Sequence, residues 1–262
     1  CRFPRVFVSN AIVIIPTYNE KENIGLIIDA VFSLPKEFDL LIVDDNSPDG
    51  TADIVKNLQG NFNHPKQRLH LIQRKGKLGL GTAYITGFKY ALEKGYEYIL
   101  EMDADFSHDP KDLVHLYLAC SEGNNDMAVG SRYITGVNVV NWPIGRVLLS
   151  YFASAYVRLV TRMPIRDATA GFVCYKRIVL QTIQLDKIKF IGYGFQIEMK
   201  FLTWKYGFKI TEVPIIFTER VRGQSKLSVG IFKEAFFGVM QLTIGSWFKS
   251  YKRTTAPSEA KA

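Results

Sequence analysis

The sequence predicts an α/β fold: a mostly parallel sheet with helices on both faces, followed by C-terminal amphipathic helices. Three observations carry that prediction. Short apolar runs alternate with helical periodicities, which is the signature of strands joined by crossover helices. Glycine and aspartate clusters fall where the apolar runs end. The chain has 262 residues, enough for one large α/β domain or two small ones with an ample core, and its 47% hydrophobic and 22% charged content is that of an ordinary globular protein.

Taken in order, AIVII (11–15), LLIVDD (40–45), RLHLIQ (68–73), YEYILEMD (96–103) and DMAVGS (126–131) read as strands. Between them Ile24, Ile27, Ile28 and Val31 recur at helical spacing, as do Ala83, Phe88, Ala91 and Leu92. Beyond residue 131 the pattern loosens. A helix is expected from Ile144 to about Val160, a strand at FVCYK (172–176), a helix from Gly194 to Tyr206, and an extended KITEVPIIFTER (209–220). Residues 228–252 are apolar at helical intervals, with Val229, Phe236, Val239, Met240 and Trp247 among them. The longest uncharged stretch there, 235–248, is 14 residues, whereas spanning a bilayer takes about 20. Residues 253–262 read as a disordered tail. With no repeat and no long linker, the expected organisation is one unit over 10–227, a C-terminal amphipathic segment over 228–252, and the tail.

The net charge of +8 is unevenly placed: residues 1–130 carry −5 and residues 131–262 carry +13. The later half therefore suits an anionic partner, whether nucleic acid, phospholipid headgroups or a phosphorylated substrate, or is a merely soluble basic surface. It lacks the aromatic-studded basic stripe that stacks bases, so no nucleic acid is expected. Cys1, Cys120 and Cys174 match no metal or redox spacing and suit a disulfide-free fold in a reducing compartment. The four histidines show no ligand spacing, and no Ser-His-Asp or Cys-His arrangement can be argued.

The stretch EMDADFSHDP (101–110) places Asp103 and Asp105 one residue apart after a buried strand. Alone, such a triplet is more often a pair of solvated loop acids. At a strand end it suits a hard divalent cation, which takes a few carboxylate oxygens and completes its shell from substrate phosphates and water. Asp44 and Asp45 end the second strand before Ser47-Pro48-Asp49-Gly50-Thr51. Ser47, Asp49 or Thr51 is expected to cap the next helix, and the two acids suit hydrogen bonds to a base or ribose. GKLGLGTA (76–83) matches no P-loop and is read as a flexible loop near the site. Among the basic residues, Arg132 follows a strand, Arg146 and Ser150 are four apart on one helical face, and Arg220, Arg222 and Lys226 crowd a glycine-containing loop. Each arginine alone suits a surface ion pair; clustered, they favour phosphate recognition. Ligands of open α/β sheets bind at the carboxyl ends of the strands, so PTYNE, DDNSPDGT and DADFSHDP are expected to share one site.

IIPTYNEKENI, VDDNSPDGT, LGLGTAY, MDADFSHDP, GSRY, the D-x-T-x-G-F of Asp167 to Phe172, and RVRGQSKL occur in that order over about residues 10–250. Together they resemble the polyprenyl-phosphate (dolichol-phosphate) mannosyltransferases of the inverting family 2 glycosyltransferases. The resemblance implies a GT-A, Rossmann-like fold with a nucleotide-sugar half at about 10–130 and an acceptor half at about 131–227. It implies GDP-mannose as donor, Mg²⁺ or Mn²⁺ as cofactor and a polyprenyl phosphate as acceptor; a UDP-sugar donor with a lipid-phosphate or glycan acceptor is the alternative. By motif, Pro16, Tyr18, Glu20, Val43 and Asp45 would hold the guanosine. Asp103, Ala104 and Asp105 would lie at the diphosphate and metal, with Ser107 reaching the metal through water. Arg132, Arg220 and Lys226 would contact donor phosphates or sugar, and Arg132, Arg146 and Ser150 would receive the acceptor phosphate. Asp105, Arg132 and Arg220 would carry catalysis. Residues 228–252, with Lys233, Lys249, Lys252 and Arg253 near headgroups, suit a peripheral place in the interface on the cytoplasmic face of a membrane, or else the same stripe packs on the domain. As in some relatives, the resemblance further implies a small membrane subunit.

Overall fold

The computed structural model describes residues 9–63, 68–192, 194–220 and 229–253, with backbone alone for 229–236. The expected contact of Lys226, and residues 254–262 of the expected tail, lie outside these. Seven strands form the main sheet: β1 (Ala11–Thr17), β2 (Asp39–Asp44), β3 (Leu69–Gln73), β4 (Tyr98–Glu101), β5 (Met127–Ser131), β7 (Val173–Lys176) and β8 (Ile210–Pro214). Their order is β3-β2-β1-β4-β7-β5-β8. All pairings are parallel except those of β7, which runs antiparallel to both β4 and β5. A separate ribbon pairs β6 (Val139–Val140) with β9 (Phe217–Thr218). The expected extended segment 209–220 is thus two strands in two different sheets.

Helices cover both faces, as the continuous apolar strands require. Ala11, Val13 and Ile15 of β1 face one core with α1 (Ile24–Phe32), α2 (Thr51–Phe62) and α4 (Asp112–Ser121). Ile12 and Ile14, one residue out of phase, face the other core with α3 (Leu80–Lys94), α6 (Arg177–Thr182) and α7 (Gly194–Lys205). The alternation follows from the two-residue period of a strand. Helix α3 lies close against the sheet because Gly87 leaves room: a Cβ there would meet Ile14 Cγ2 at 2.6 Å. Such overpacking costs about 1–3 kcal/mol.

A third, smaller core joins α5 (Ile144–Thr161), α7 and α8 (Val229–Trp247) through Val157, Phe201 and Val239. Gly238 lets α8 close over the Phe190 ring, 2.3 Å from where a Cβ would stand. One side of α8 is therefore core. Other positions on it remain in solvent, among them Phe237, Ile244 and Trp247. Among the described residues no helix is long and apolar enough to cross a membrane, and Cys120 and Cys174 are free, buried thiols.

Candidate active site

Strands β2, β1 and β4 are adjacent and parallel, so the loops after Thr17, Asp44 and Glu101 leave the sheet at one edge. Each loop turns through a left-handed residue: Asn19 (φ 56°), Asn46 (φ 58°) and Phe106 (φ 58°). Asparagine tolerates that region; a phenylalanine there is strained and needs its surroundings to hold it. The Asp105 Oδ1 accepts from the Ser107 N–H at 3.0 Å. The Ser107 carbonyl accepts from the Thr218 N–H at 3.0 Å.

The first two loops are wired together by the residues expected to cap α2. The Asn19 N–H donates to Ser47 Oγ, the Glu20 N–H to Thr51 Oγ1, and the Lys21 N–H to Asp49 Oδ2, each at 3.0 Å. The N-cap itself is Gly50, which makes no side-chain cap bond. The capping expectation is met only in part: Asp49 Oδ1 accepts from the Thr51 N–H at 3.0 Å at the start of α2, while Ser47 Oγ, Thr51 Oγ1 and Asp49 Oδ2 accept from the neighbouring loop. Asp44 is fully buried and accepts from Thr17 Oγ1 at 2.9 Å and from the Ser47 hydroxyl at 2.6 Å. It organises the turn and faces no solvent.

Of the expected donor contacts, Pro16, Tyr18 and Glu20 are half-buried along the exit of β1. The Lys77 ammonium sits 5.0 Å over the Tyr18 ring. Val43 is wholly buried in the α3-side core, so its side chain backs the wall of the site and does not line it. Asp45 is clamped by Arg74, with Nε–Oδ1 at 2.5 Å and Nη2–Oδ2 at 2.7 Å. Arg74 also donates to Thr82 Oγ1 at 2.7 Å and to the Gly79 carbonyl at 3.3 Å. Sequence reasoning missed this arginine, although it directly follows β3, a fourth strand ending at the same edge. The glycine-rich run is not a free loop: Arg74 holds its Gly79 carbonyl, the Gly81 N–H donates to Ile191 O at 2.8 Å, and α3 begins at Leu80.

In the third loop Asp103 is half-buried, and Ala104 and Asp105 are buried. Asp105 Oδ2 lies 2.8 Å from Arg220 Nη2. Asp103 and Asp105 carry the hard carboxylate oxygens that Mg²⁺ or Mn²⁺ takes, and Arg220 would have to give up or share Asp105 Oδ2 for a metal to bind there. Among the described residues no group of three or more His, Cys, Asp or Glu side chains could hold a metal. Substrate oxygens and water would complete the shell around Asp103 and Asp105. Ser107 is buried with its backbone committed on both sides.

The basic residues reach this edge through the reversed strand. Because β7 is antiparallel, with Val173 opposite Glu101 and Val129, the segment before it arrives where β4 and β5 end. That segment carries Asp167, which is fully buried. Arg132 Nε and Nη2 donate to its two oxygens at 2.7 Å each, and Nη2 also reaches Thr169 Oγ1 at 2.9 Å. Burial pushes the Asp167 carboxyl up, but the Arg132 charge and hydrogen bonds outweigh it and leave the carboxyl below its ordinary range. Arg132 is thus committed to Asp167. Arg146 is paired through Nη1 with Glu219 Oε2 and stacks 4.2 Å over the Trp142 ring. Ser150 lies one turn along α5, half-buried. Beneath the loop, Lys200 Nζ donates to the Ala170 carbonyl at 2.5 Å, and Gln196 Nε2 donates to Glu101 Oε2 at 2.9 Å. Burial pushes the Glu101 carboxyl up and the Lys200 ammonium down. None of these supports had a local signal, since each bond joins residues far apart in sequence.

The family model described as glycosyl transferase family 2 matches residues 12–184. The chain belongs to glycosyl transferase family 2. Within that family it is 44% identical over 230 residues to a polyprenol monophosphomannose synthase of Mycolicibacterium smegmatis, covering 88% of this chain and 85% of that protein. It is 42% identical over 228 residues to an undecaprenyl-phosphate mannosyltransferase of Micrococcus luteus, covering 87% and 91%. These relatives bear out the resemblance drawn from the motifs. Among solved structures, a glucosyl-3-phosphoglycerate synthase from Mycobacterium tuberculosis with Mn²⁺ and UDP superposes with a TM-score of 0.66 at 16% identity, covering 90% of this chain and 80% of that one. A mannosyltransferase from Pyrobaculum calidifontis with GDP-Man and Mn²⁺ gives 0.56 at 17%, covering 90% and 70%. At such identities the likeness concerns the fold, and it is the GT-A-type α/β arrangement expected.

Proposed function

We propose that this family 2 glycosyltransferase moves mannose from GDP-mannose to a polyprenyl phosphate, inverting the anomeric centre. The observation that carries the reading is the meeting of the acidic loop and the basic half at one edge. Asp105 pairs with Arg220, and one residue earlier Glu219 pairs with Arg146. The names of the two relatives point the same way.

The acidic loops would receive the nucleoside, with Tyr18, Glu20 and Asp45 around it. Asp103 and Asp105 would hold a divalent cation, whose charge neutralises the diphosphate. Arg220 would then turn from Asp105 to the leaving phosphates, joined by Lys226. The acceptor phosphate would meet Arg146 and Ser150, with Arg132 behind them. Its second pKa lies near ~6, so it is largely dianionic at neutral pH and attacks without a general base. One phosphate oxygen forms a bond to the anomeric carbon as the carbon–diphosphate oxygen bond breaks in line. The protein's part is to position two anions and to stabilise the leaving charge.

The acceptor's hydrocarbon needs a surface. On α5, next to Arg146 and Ser150, Leu148, Leu149 and Phe152 are exposed, and the end of α8 adds Trp247, followed by Phe248, Lys249, Lys252 and Arg253. Apolar side chains flanked by cations suit peripheral docking on an anionic membrane, where a small membrane subunit could also seat. The test is incubation with Mg²⁺ or Mn²⁺, a polyprenyl phosphate and, in parallel, GDP-mannose, UDP-glucose or UDP-N-acetylglucosamine, followed by mass analysis of the lipid. A hexosyl lipid phosphate from GDP-mannose alone is expected. Product from a UDP-sugar alone would overturn the donor assignment.

A further inference from the structure

We infer that Trp142 is a positioning residue of the acceptor cradle, its indole ring gathering the guanidinium groups of Arg146 and Arg132 onto one aromatic surface. The inference rests on the reading above, in which these arginines receive the acceptor phosphate. The Arg146 guanidinium lies 4.2 Å from the Trp142 ring centroid and that of Arg132 5.6 Å. Two like charges so placed repel each other. The negative face of an indole offsets part of that cost, and tryptophan offers the strongest such face of any side chain. Each arginine also has its own carboxylate, Glu219 for Arg146 and Asp167 for Arg132. Stacking engages the face of a guanidinium and leaves its edge nitrogens to donate to an anion.

Packing alone is a poor explanation for a tryptophan here. The ring is only half-buried and belongs to none of the three core clusters. Its Nε1–H is buried without a hydrogen-bond partner among the described residues. A phenylalanine would fill the place without stranding a donor. The ring also connects the cradle to the acidic loop. Trp142 meets Phe217 edge-on at 5.1 Å, Phe217 meets His108 at 5.1 Å, and His108 stacks on Phe172 at 4.7 Å. His108 follows Asp105 by three residues, so the aromatic column spans the distance between the donor loop and the acceptor arginines.

The experiment compares Trp142→Leu, Trp142→Phe and Arg146→Ala in the full chain, with GDP-mannose and water-soluble citronellyl phosphate as substrates. Trp142→Leu is expected to raise the acceptor KM on the order of tenfold, with the GDP-mannose KM and Tm close to wild type. Trp142→Phe should recover most of that loss, because a benzene face still stacks on guanidinium. As a direct readout, citronellyl phosphate should change the intrinsic fluorescence of Trp247→Phe and not that of the Trp142→Phe/Trp247→Phe double variant, in which Trp204 alone remains. An unchanged acceptor KM in Trp142→Leu, beside a raised one in Arg146→Ala, would overturn the positioning role and leave the acceptor reading intact. An unchanged acceptor KM in Arg146→Ala would remove the acceptor reading itself. Equal rises in both KM values with a lowered Tm would make Trp142 a packing residue and overturn the inference. Should Trp142→Leu fail to fold, an acceptor-dependent fluorescence change that survives in the Trp142→Phe/Trp247→Phe double variant would overturn it as well.

Discussion

The two sides of the site edge are built by different means. On the acidic side, apart from the Asp45–Arg74 pair, polar side chains bond to backbone in their own or the adjoining loop, as Asp44 does to Ser47 and Thr51 to Glu20. On the basic side three arginines are matched to distant carboxylates: Arg132 to Asp167, Arg146 to Glu219, Arg220 to Asp105. The first design fixes loop shape before any ligand arrives. The second keeps the charges of the arginines balanced and, on the proposed reading, would let an anion take the place of the carboxylate. The basic pairs also differ among themselves. Arg132 and Asp167 are buried, 10% and 0% exposed at the side chain, whereas Arg146 and Glu219 are 28% and 25% exposed. Exchange for a phosphate is therefore cheap at Arg146 and costly at Arg132.

The largest effect is expected where the two sides touch. Asp105→Ala should lower mannosyl transfer by about a thousandfold or more, since it removes both the proposed cation ligand and the partner of Arg220. Circular dichroism should show an intact fold. Near-normal turnover with an unchanged metal requirement would break the assignment. Next, Asp167→Ala leaves the Arg132 charge buried and uncompensated, which should cost about 3–5 kcal/mol of stability in urea melts. Replacing both residues by apolar ones should restore part of it. A loss under about 1 kcal/mol for the single change would mean that Arg132 simply turns to solvent.

Arg146→Ala should cost about 1.5–3 kcal/mol, or roughly ten- to a hundredfold in acceptor efficiency, with GDP-mannose affinity kept. If donor affinity fell and acceptor kinetics held, the division between the two sides would be wrong. The smallest effect lies away from both, at the β3 side of the sheet. His70 is buried, its Nδ1 2.8 Å from the Tyr90 hydroxyl, and burial, helped by the Lys94 charge, lowers its pKa to about 4 from 6.5. Between those values the unfolded chain binds the extra proton. The contribution of the neutral ring is thus fully present above the unfolded pKa and is lost as pH falls from about 6.5 toward 4. His70→Gln should flatten the stability–pH curve in that window by about 1–2 kcal/mol in urea melts. An unaltered slope would show that other groups set it.

The strands of the acidic side were legible because a parallel strand buried on both faces leaves an unbroken apolar run, and the acids break that run where the strand ends. Ser47, Asp49 and Thr51 were legible as turn residues but not as bridges, since the same side chains serve a cap or a neighbouring loop equally well. The sequence by itself determined the alternation of strands and helices, the shared edge of the PTYNE, DDNSPDGT and DADFSHDP loops, and the family. The direction of β7 was decided only in three dimensions: a four-residue apolar run carries no mark of whether it will pair parallel or antiparallel. That direction brings Asp167 to Arg132. In the same way, the spacing of Arg146 and Ser150 already implied a common helical face, whereas Glu219 and Trp142 reach Arg146 through the β6–β9 ribbon. The fate of α8 was also tertiary. Its apolar residues surround much of the helix, and only the arrival of α5 and α7 decides that Val239 is core while Phe237 and Trp247 meet solvent. Local chemistry fixes what each segment can become; long-range contacts, which leave no periodic trace in the chain, choose its partner.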